Sequence, residues 1–325
     1  GHAGDGNLLI AEADESDGTI IKFKGDLGVI TNLELDHTNH YQDIESLIKT
    51  LKKFANNSKI LLANFDCPII RKNFRSSIWW SIKNNQDVDF AAIPISVNGK
   101  ETIANFYEQG NLIGKIKIPL PGLHNLSNTT AAIAACRLAG IPFTKLNAIV
   151  HKLEAPNRRF EFRGSWRKRQ LVDDYAHHPS EVSATLAMGR LMIDSGKSIL
   201  PRQPRRIVAI FQPHRFSRIR DFQKDFAKAL KKADLIILAP IYGAGEQAIE
   251  GINNESLAQA IKEENATIPI HIAKDIDNLI DLIEEHTQEE DLILNMGAGD
   301  TNLIWEKIQL RPKNPMDILS LNEAA

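Results

Sequence analysis

The sequence predicts an α/β protein in two parts, a parallel-sheet unit followed by a doubly wound parallel sheet. Three observations carry that prediction. Short apolar runs end abruptly in acids, histidines or arginines, as buried parallel strands do when they deliver polar side chains at their carboxyl ends. From residue 171 onward such runs alternate with segments of helical periodicity, the mark of a sheet covered on both faces. The chain has 325 residues, 43% hydrophobic and 25% charged, enough for two domains of about 100–200 residues each.

Two runs open the first part. Leu8-Leu9-Ile10-Ala11 leads into Glu12-Ala13-Asp14-Glu15-Ser16-Asp17, and Gly28-Val29-Ile30 leads into Thr31-Asn32-Leu33-Glu34-Leu35-Asp36-His37. Read as neighbouring strands, they would place the Glu12 carboxylate and the His37 imidazole on one cation; each cluster alone also reads as a polar loop end. Hard oxygen donors suit magnesium, which keeps waters, takes phosphate oxygens and needs only one or two protein carboxylates. Residues 43–56 follow with Ile44, Leu47, Ile48, Leu51, Phe54 and Ala55 on one helical face. Residues 58–64 read as a strand. Phe90–Ile95, Thr102–Tyr107 and Ile113–Ile118, with Asn-Gly and Gly-Asn turns, suggest an antiparallel appendage. Helices are predicted over 127–138, stopped by Gly140 and Pro142, and over 144–153, capped by Thr144.

Glu154-Ala155-Pro156-Asn157 is the expected linker, dividing the chain into 1–154 and 155–310, with an irregular tail at 311–325. In the second part, strands are expected around 171–172, 207–211, 235–239, 268–272 and 292–295. Helices are expected over 180–192, 222–232, 257–264, 276–286 and 302–308.

Composition excludes several classes. A net charge of −2 argues against a dedicated nucleic-acid binder, and the only dense basic stretch runs from Arg158 to Arg169. That stretch serves either a small anion or a solvated hairpin face. Cys67 and Cys136 stand far apart, indicating neither a disulfide framework nor a zinc site, with a reducing cytoplasm as the expected compartment. No apolar run approaches the roughly 18–20 residues of a membrane span, and no membrane partner is expected. The chain opens one short loop before a predicted core strand and without a Met, which reads as a fragment of a longer protein.

Phosphate loops are imitated in places. Ser195-Gly196-Lys197-Ser198 ends like a P-loop, but Leu191 stands where the first glycine belongs and a helix precedes it. Gly243-Ala244-Gly245 and Gly297-Ala298-Gly299 follow strands and read as amide cradles for an anion or as tight turns. Three constellations are richer. Pro121-Gly122-Leu123-His124-Asn125-Leu126-Ser127-Asn128 opens a helix. Asp173-Asp174-Tyr175-Ala176-His177-His178-Pro179 lies at a strand end, where a carboxylate suits ribose hydroxyls. Gln212-Pro213-His214-Arg215-Phe216-Ser217-Arg218 ends another strand, and its two arginines are spaced to grip a carboxylate or to form surface salt bridges.

Taken in order, the acidic cluster 12–17, Thr31-Asn32 with Asp36-His37 and Tyr41, Pro121-Gly122 with His124-Asn125 and Asn128, Arg158-Arg159-Phe160, Asp173-Asp174-Tyr175 with His177-His178-Pro179, and Phe211-Gln212-Pro213-His214-Arg215 with Ser217-Arg218 resemble the motif series of the Mur ligase family. The resemblance is strongest to the branch that joins L-alanine to UDP-N-acetylmuramate, and runs from residue 8 to about 300. It implies a partial central ATPase domain followed by a Rossmann-like domain, with the amino-terminal UDP-sugar domain and the P-loop outside this sequence, so that the chain alone would be inactive.

ATP and Mg2+ are the implied cofactors, UDP-N-acetylmuramate and L-alanine the implied partners, and a monomer or weak homodimer the expected state. By motif, Glu12 and His37 would bind magnesium. Asn125, Asn128, Arg159 and Asp174 would face the nucleotide, and Tyr175, His177, His214, Arg215 and Arg218 the amino-acid and muramate end. Glu12, His37, Asn125, Arg159, His177 and Arg215 form the expected catalytic set. A murein tripeptide ligase, a folylpolyglutamate synthetase and a non-catalytic nucleotide-binding fragment are the alternatives.

Overall fold

The structure, a computed structural model, describes residues 4–310; the tail expected at 311–325 lies outside the described residues. The chain divides into two compact units. Among the described residues one comprises 4–95, Ala104–Ile116 and Leu126–Ala148, the other Ser96–Ile103, Lys117–Asn125 and 149–310. Two short segments from the middle of the chain thus group with the second unit, an assignment that a single cut in the sequence does not produce.

A six-stranded sheet runs through the first part of the chain in the order β1 (Gly25–Ile30), β2 (Ser58–Asn64), β3 (Ile78–Ser81), β4 (Phe90–Val97), β5 (Thr102–Glu108), β6 (Asn111–Ile118). β1 to β4 are parallel. The predicted appendage is therefore not separate: β4 joins the ladder of β3, and the hairpin of β5 and β6 extends the same sheet. Gln109 and Gly110 turn that hairpin with φ of 47° and 77°, the two positive angles of a type I′ turn, whose twist matches that of paired strands.

Helix α1 (Ile44–Asn56) begins where Asp43 accepts a hydrogen bond from Ser46 N at 2.8 Å, and buries Leu47, Ile48, Leu51 and Phe54 against Ile30, Leu61 and Ala63. Helix α2 (Pro68–Asn73) and β3 carry no periodicity long enough to reveal them in advance; Pro68 stands at the first helical turn, where its missing N–H costs nothing. Helix α3 (Leu123–Leu138) starts one turn before the beginning predicted at 127, and the 121–128 motif opens it as expected, supplying its first turns. Helix α4 (Phe143–Ile149) likewise includes Thr144 instead of being capped by it.

The expected strand at Leu8–Ala11 does not form. Leu8, Leu9 and Ile10 are 67%, 94% and 90% exposed, and β1 is the edge of its sheet among the described strands. An apolar run becomes a buried strand only where a ladder and a core receive it, and here neither does.

The second sheet follows the expectation closely. Its order is β11 (Ile270–Ile272), β10 (Leu235–Leu238), β9 (Arg206–Phe211), β12 (Asp291–Met296), β8 (Arg169–Asp174), β7 (Glu161–Trp166). All pairs are parallel except the β7–β8 hairpin. Successive strand residues point to opposite faces. Ile207, Ala209 and Phe211 therefore meet α5 (Pro179–Ser195), α6 (Phe216–Leu230) and α7 (Asn254–Glu264), while Val208 and Ile210 meet α8 (Ile276–His286) and α9 (Ile304–Leu310). With both faces covered, β9 and β12 need apolar side chains through their centres, at 207–211 and 292–294, which is why these read as unbroken runs. Among the described residues no helix is long and apolar enough to cross a membrane.

The P-loop imitation is a helix end. Gly196 closes α5 in the left-handed region at φ 62°, and Ser195 Oγ accepts from Gly99 N at 3.1 Å while Ile199 N donates to Gly99 O at 3.0 Å. The Asn98–Gly99 turn seats there so closely that a Cβ on Gly99 would lie 2.0 Å from Lys197 O and 2.4 Å from Met192 Cα. Both are backbone atoms that cannot swing aside. Gly99→Ala should therefore lower stability by about 1–3 kcal/mol, seen as an earlier urea midpoint; an unchanged midpoint would contradict this packing.

Candidate active site

In the first unit the two acidic loops do meet, through other atoms than expected. Tyr41, 2% exposed, donates its hydroxyl to Glu15 O at 2.5 Å, which Gly18 N also reaches at 2.8 Å. This tie brings Glu15 within 3.9 Å of His37 Nε2, and Asp36 lies 3.8 Å from the same nitrogen. Asp14, whose carboxyl is held below its ordinary range by hydrogen bonds from Ser16, also feels the charge of His37. Glu12 is exposed and forms no ion pair with His37. His37 itself sits at φ 52°, a conformation uncommon for non-glycine residues, among which asparagine, aspartate and histidine adopt it most often.

No group of three His, Cys, Asp or Glu side chains able to hold a metal occurs among the described residues. Magnesium, however, needs only one or two carboxylates once waters and phosphates fill the remaining positions. The Glu15–His37 pair with Asp36 has donors of that chemistry.

The carboxyl edge of the second sheet gathers most of the other candidates. Four rings follow one another there: Tyr175 to His177 with centroids 5.1 Å apart, His177 to His214 at 5.8 Å, and His214 stacked on Tyr242 at 5.6 Å and 15°. They come from the ends of β8, β9 and β10, the position where parallel α/β sheets bind ligands. His214 Nδ1 lies 3.1 Å from Arg218 Nη1. A guanidinium only donates, so Nδ1 is the acceptor and the neutral ring carries its proton on Nε2. His177 is the reverse: its Nδ1 lies 2.9 Å from Tyr175 O, a carbonyl that only accepts, so the proton sits on Nδ1 and Nε2 is the acceptor nitrogen.

The two arginines differ. Arg218, 5% exposed, is buried in the leading segment of α6, which bends at Phe222 (φ −122°). That bend is why helical periodicity in the sequence begins only at Phe222. Arg215 precedes the helix at φ 68°, held by its N–H to Tyr242 O at 2.8 Å, and its guanidinium faces Glu246 at 3.7 Å. Glu246 also takes both the N–H and the hydroxyl of Ser217, at 3.0 and 2.7 Å. Burial opposes ionisation of Glu246, but Ser217 and Arg215 prevail and lower its pKa. Gly243 to Gly245 form the turn that returns Glu246 to this helix, with Glu246 N bonded to Gly243 O at 2.9 Å. Gly299 is a packing glycine, since a Cβ there would fall 2.3 Å from Gln212 Oε1. Neither glycine pair is needed as an anion cradle to explain its presence.

The basic stretch is largely internal pairing. Arg163 meets Glu161, Arg167 meets Glu284 and Lys168 meets Glu289. Arg158 goes deeper: it donates to Asp173 at 2.9 Å and to Gly297 O at 2.7 Å, and lies 4.8 Å over the Tyr175 ring. Asp173 is 1% exposed and also accepts from Asn295 at 2.7 Å. Asp174, expected on a ribose, is 6% exposed, with one oxygen bonded to Phe160 N and the other to Ala176 N, each at 2.9 Å. Burial raises its pKa. In this structure it fastens the 158–160 turn to β8.

Arg159 reaches Glu181 at 3.2 Å, and desolvation, followed by the charge of Arg159, lowers the pKa of His124. Asn125 turns its amide back to Pro121 O at 2.8 Å, and Asn128, one helical turn on, is exposed. Glu181, Glu246 and Asn295 were not singled out from the sequence, and Arg158 stood out only as part of the basic stretch and of the Arg158-Arg159-Phe160 motif. Glu181 had a signal, lying three residues after a helix N-cap; the others depend on contacts remote in the chain.

His214 offers a direct test. Burial and the charges of Arg218, His177 and Arg215 lower its pKa from 6.5 to about 4. A histidine depressed in this way favours folding only while neutral. Its contribution is complete above pH 6.5, declines as pH falls toward 4, and changes no further below. His214→Gln should therefore flatten the loss of stability over that interval, measured by urea midpoints; an identical acid profile in the variant would remove His214 from the account.

The comparisons with known proteins agree with this architecture. The Mur ligase middle domain matches residues 5–136, and the Mur ligase glutamate ligase domain matches residues 158–299. A UDP-N-acetylmuramate–L-alanine ligase from Prochlorococcus marinus (strain MIT 9303) is 56% identical over 308 residues, covering 95% of this chain and 63% of that protein. Its counterpart of the same name from Synechococcus sp. (strain CC9311) is 54% identical over 308 residues, with 95% and 64% covered. The chain thus spans somewhat under two thirds of these relatives. Among solved structures, a UDP-N-acetylmuramate-alanine ligase from Thermotoga maritima shares the fold with a TM-score of 0.71 at 21% identity, over 91% of this chain and 61% of that one. A murein peptide ligase from Psychrobacter arcticus does so with a TM-score of 0.61 at 19% identity, over 89% and 58%. Two family domains in sequence, and a parallel sheet with its polar constellations at the carboxyl edge, establish that this chain belongs to the Mur ligase family.

Proposed function

We propose that this chain is the ATP-binding and amino-acid-binding part of a ligase that joins L-alanine to UDP-N-acetylmuramate in peptidoglycan precursor synthesis, with ATP and Mg2+. The observation that carries the reading is the grouping of Tyr175, His177, His214, Arg215 and Arg218 at one sheet edge, in a chain 56% identical to a relative of that name. The proposed chemistry is activation of the lactyl carboxylate as an acyl phosphate, followed by attack of the alanine amine and release of phosphate.

Each residue has a task suited to its chemistry. Arg215, Arg218 and the Nε2–H of His214 form a set of donors for a carboxylate, two of them permanently charged. Tyr175 and Tyr242 supply ring surface beside a small side chain. His37, with Glu12 or Glu15, would hold magnesium, which supplies charge neutralisation for crowded phosphate oxygens. Arg159, Asn125 and Asn128 would lie on the nucleotide side. We propose residues 1–154 and 155–310 as the two functional domains, acting in the cytoplasm as a monomer or weak homodimer.

The test is a chimera in which this chain replaces the matching part of the Prochlorococcus marinus relative. Arg215→Lys keeps the charge and loses the fork, so the KM for alanine should rise about tenfold or more with little change for ATP. Serine and glycine should be poor but detectable, because one methylene separates substrates by only about 1–3 kcal/mol. Unchanged alanine kinetics in Arg215→Lys, or preference for a tripeptide over alanine, would overturn the assignment. In the same chimera Glu12→Ala should lower turnover by at least about tenfold at limiting magnesium. A loss confined to Glu15→Ala would transfer the metal role to the carboxylate that the structure places beside His37.

A further inference from the structure

We propose that Glu181 is the positioning residue of this site: its carboxylate reinforces the Nδ1–H tautomer of His177 that Tyr175 O favours, raises the basicity of that ring, and ties Arg159 to the same anion. Glu181 Oε2 accepts from the backbone N–H of His177 at 3.0 Å and of His178 at 3.2 Å, and lies 3.4 Å from His177 Nδ1. Glu181 Oε1 accepts from Arg159 at 3.2 Å. One side chain therefore touches a residue proposed for the nucleotide side and a residue proposed for the amino-acid side.

The geometry gives the carboxylate two separable functions. As the third residue of α5 it caps the helix, accepting backbone N–H groups that have no partner within the helix, which a neutral amide does equally well. As an anion beside Nδ1, it reinforces the tautomer already favoured by Tyr175 O at 2.9 Å. Nε2 is left as the acceptor nitrogen of the ring, the form able to take a proton from an amine. A carboxylate next to imidazole also favours the protonated ring and so raises its pKa. His177 meets Tyr175 and Glu181 from its own segment and His214, backed by Arg218, from the end of β9, while Arg159 pairs with the same Glu181. Glu181→Gln removes the negative charge 3.4 Å from Nδ1 and leaves the ring contacts with Tyr175 and His214 in place.

Glu181→Gln separates the two functions, because glutamine keeps the cap and loses the charge. In the 325-residue chain, nitrogen-15 spectra of the imidazoles should show His177 protonated at Nδ1 in the parent. In the variant they should show a larger share of the Nε2–H tautomer and a ring that protonates only at lower pH, with thermal stability retained. Glu181→Ala, which removes the cap as well, should lower thermal stability in addition. Unchanged tautomer and pKa in Glu181→Gln would overturn the proposal, and a pKa change without a tautomer change would overturn its first half.

The kinetic arm rests on the proposed ligase reading. In the chimera, the acid limb of kcat/KM for alanine should move to lower pH in Glu181→Gln, whereas a purely structural residue would scale the whole profile without shifting it. A parent chimera inactive with alanine would sink the ligase reading, while the spectra would still decide the role of Glu181.

Discussion

The carboxyl edge of the second sheet depends on one buried charge. Asp173 is 1% exposed at the end of β8, and a carboxylate so far from water is tolerated only with a cation and hydrogen bonds in place. Arg158 supplies the cation and Asn295 the neutral donor. Because Arg158 also grips Gly297 O and covers the Tyr175 ring, the neutralisation of Asp173 fixes three things together. It closes the 158–160 turn over β8, it aligns the end of β12 with the end of β8, and it orients the first ring of the row that runs to Tyr242.

From that anchor the site is built by residues that each constrain one another. Asp174 holds Phe160 N and Ala176 N, so the turn before the ring row cannot slide. Glu246 holds Ser217 and faces Arg215, keeping an arginine with a left-handed backbone beside Tyr242. Strain of this kind persists only where the surroundings over-determine it, and it concentrates at functional positions. Gln212, 2% exposed, bonds Asp300 and the backbone of Thr301, fixing the loop after β12 to the end of β9. Opposed tautomers on His177 and His214 follow from these contacts: a carbonyl below one ring and a guanidinium beside the other.

Much of the candidate site was legible because its residues occur in local clusters. His177 and His178 precede a proline at a strand end, and His214, Arg215 and Arg218 follow another, so their location at a carboxyl edge could be inferred without contacts. What each side chain does there could not. Arg158 and Arg159 are adjacent and chemically identical, yet one is committed to a buried carboxylate and the other is half exposed beside Glu181. Glu12 and Glu15 are separated by one helical turn's worth of chain, and the structure brings Glu15 to His37 because the Tyr41 hydroxyl captures the Glu15 carbonyl.

The sequence by itself determined the alternation of strands and helices in the second unit, because strands buried on both faces are apolar through their centres and helices on one stripe only. It determined α1 and β2 for the same reason. Tertiary structure alone decided the order of the strands, with β12 inserted between β9 and β8, since parallel ladders are made of backbone groups common to all residues. It alone decided that 90–118 would extend the first sheet instead of standing apart, and that Leu8–Ala11 would not be a strand. An apolar run records that burial is favourable, but whether a neighbouring edge and a core exist to provide it depends on residues elsewhere in the fold.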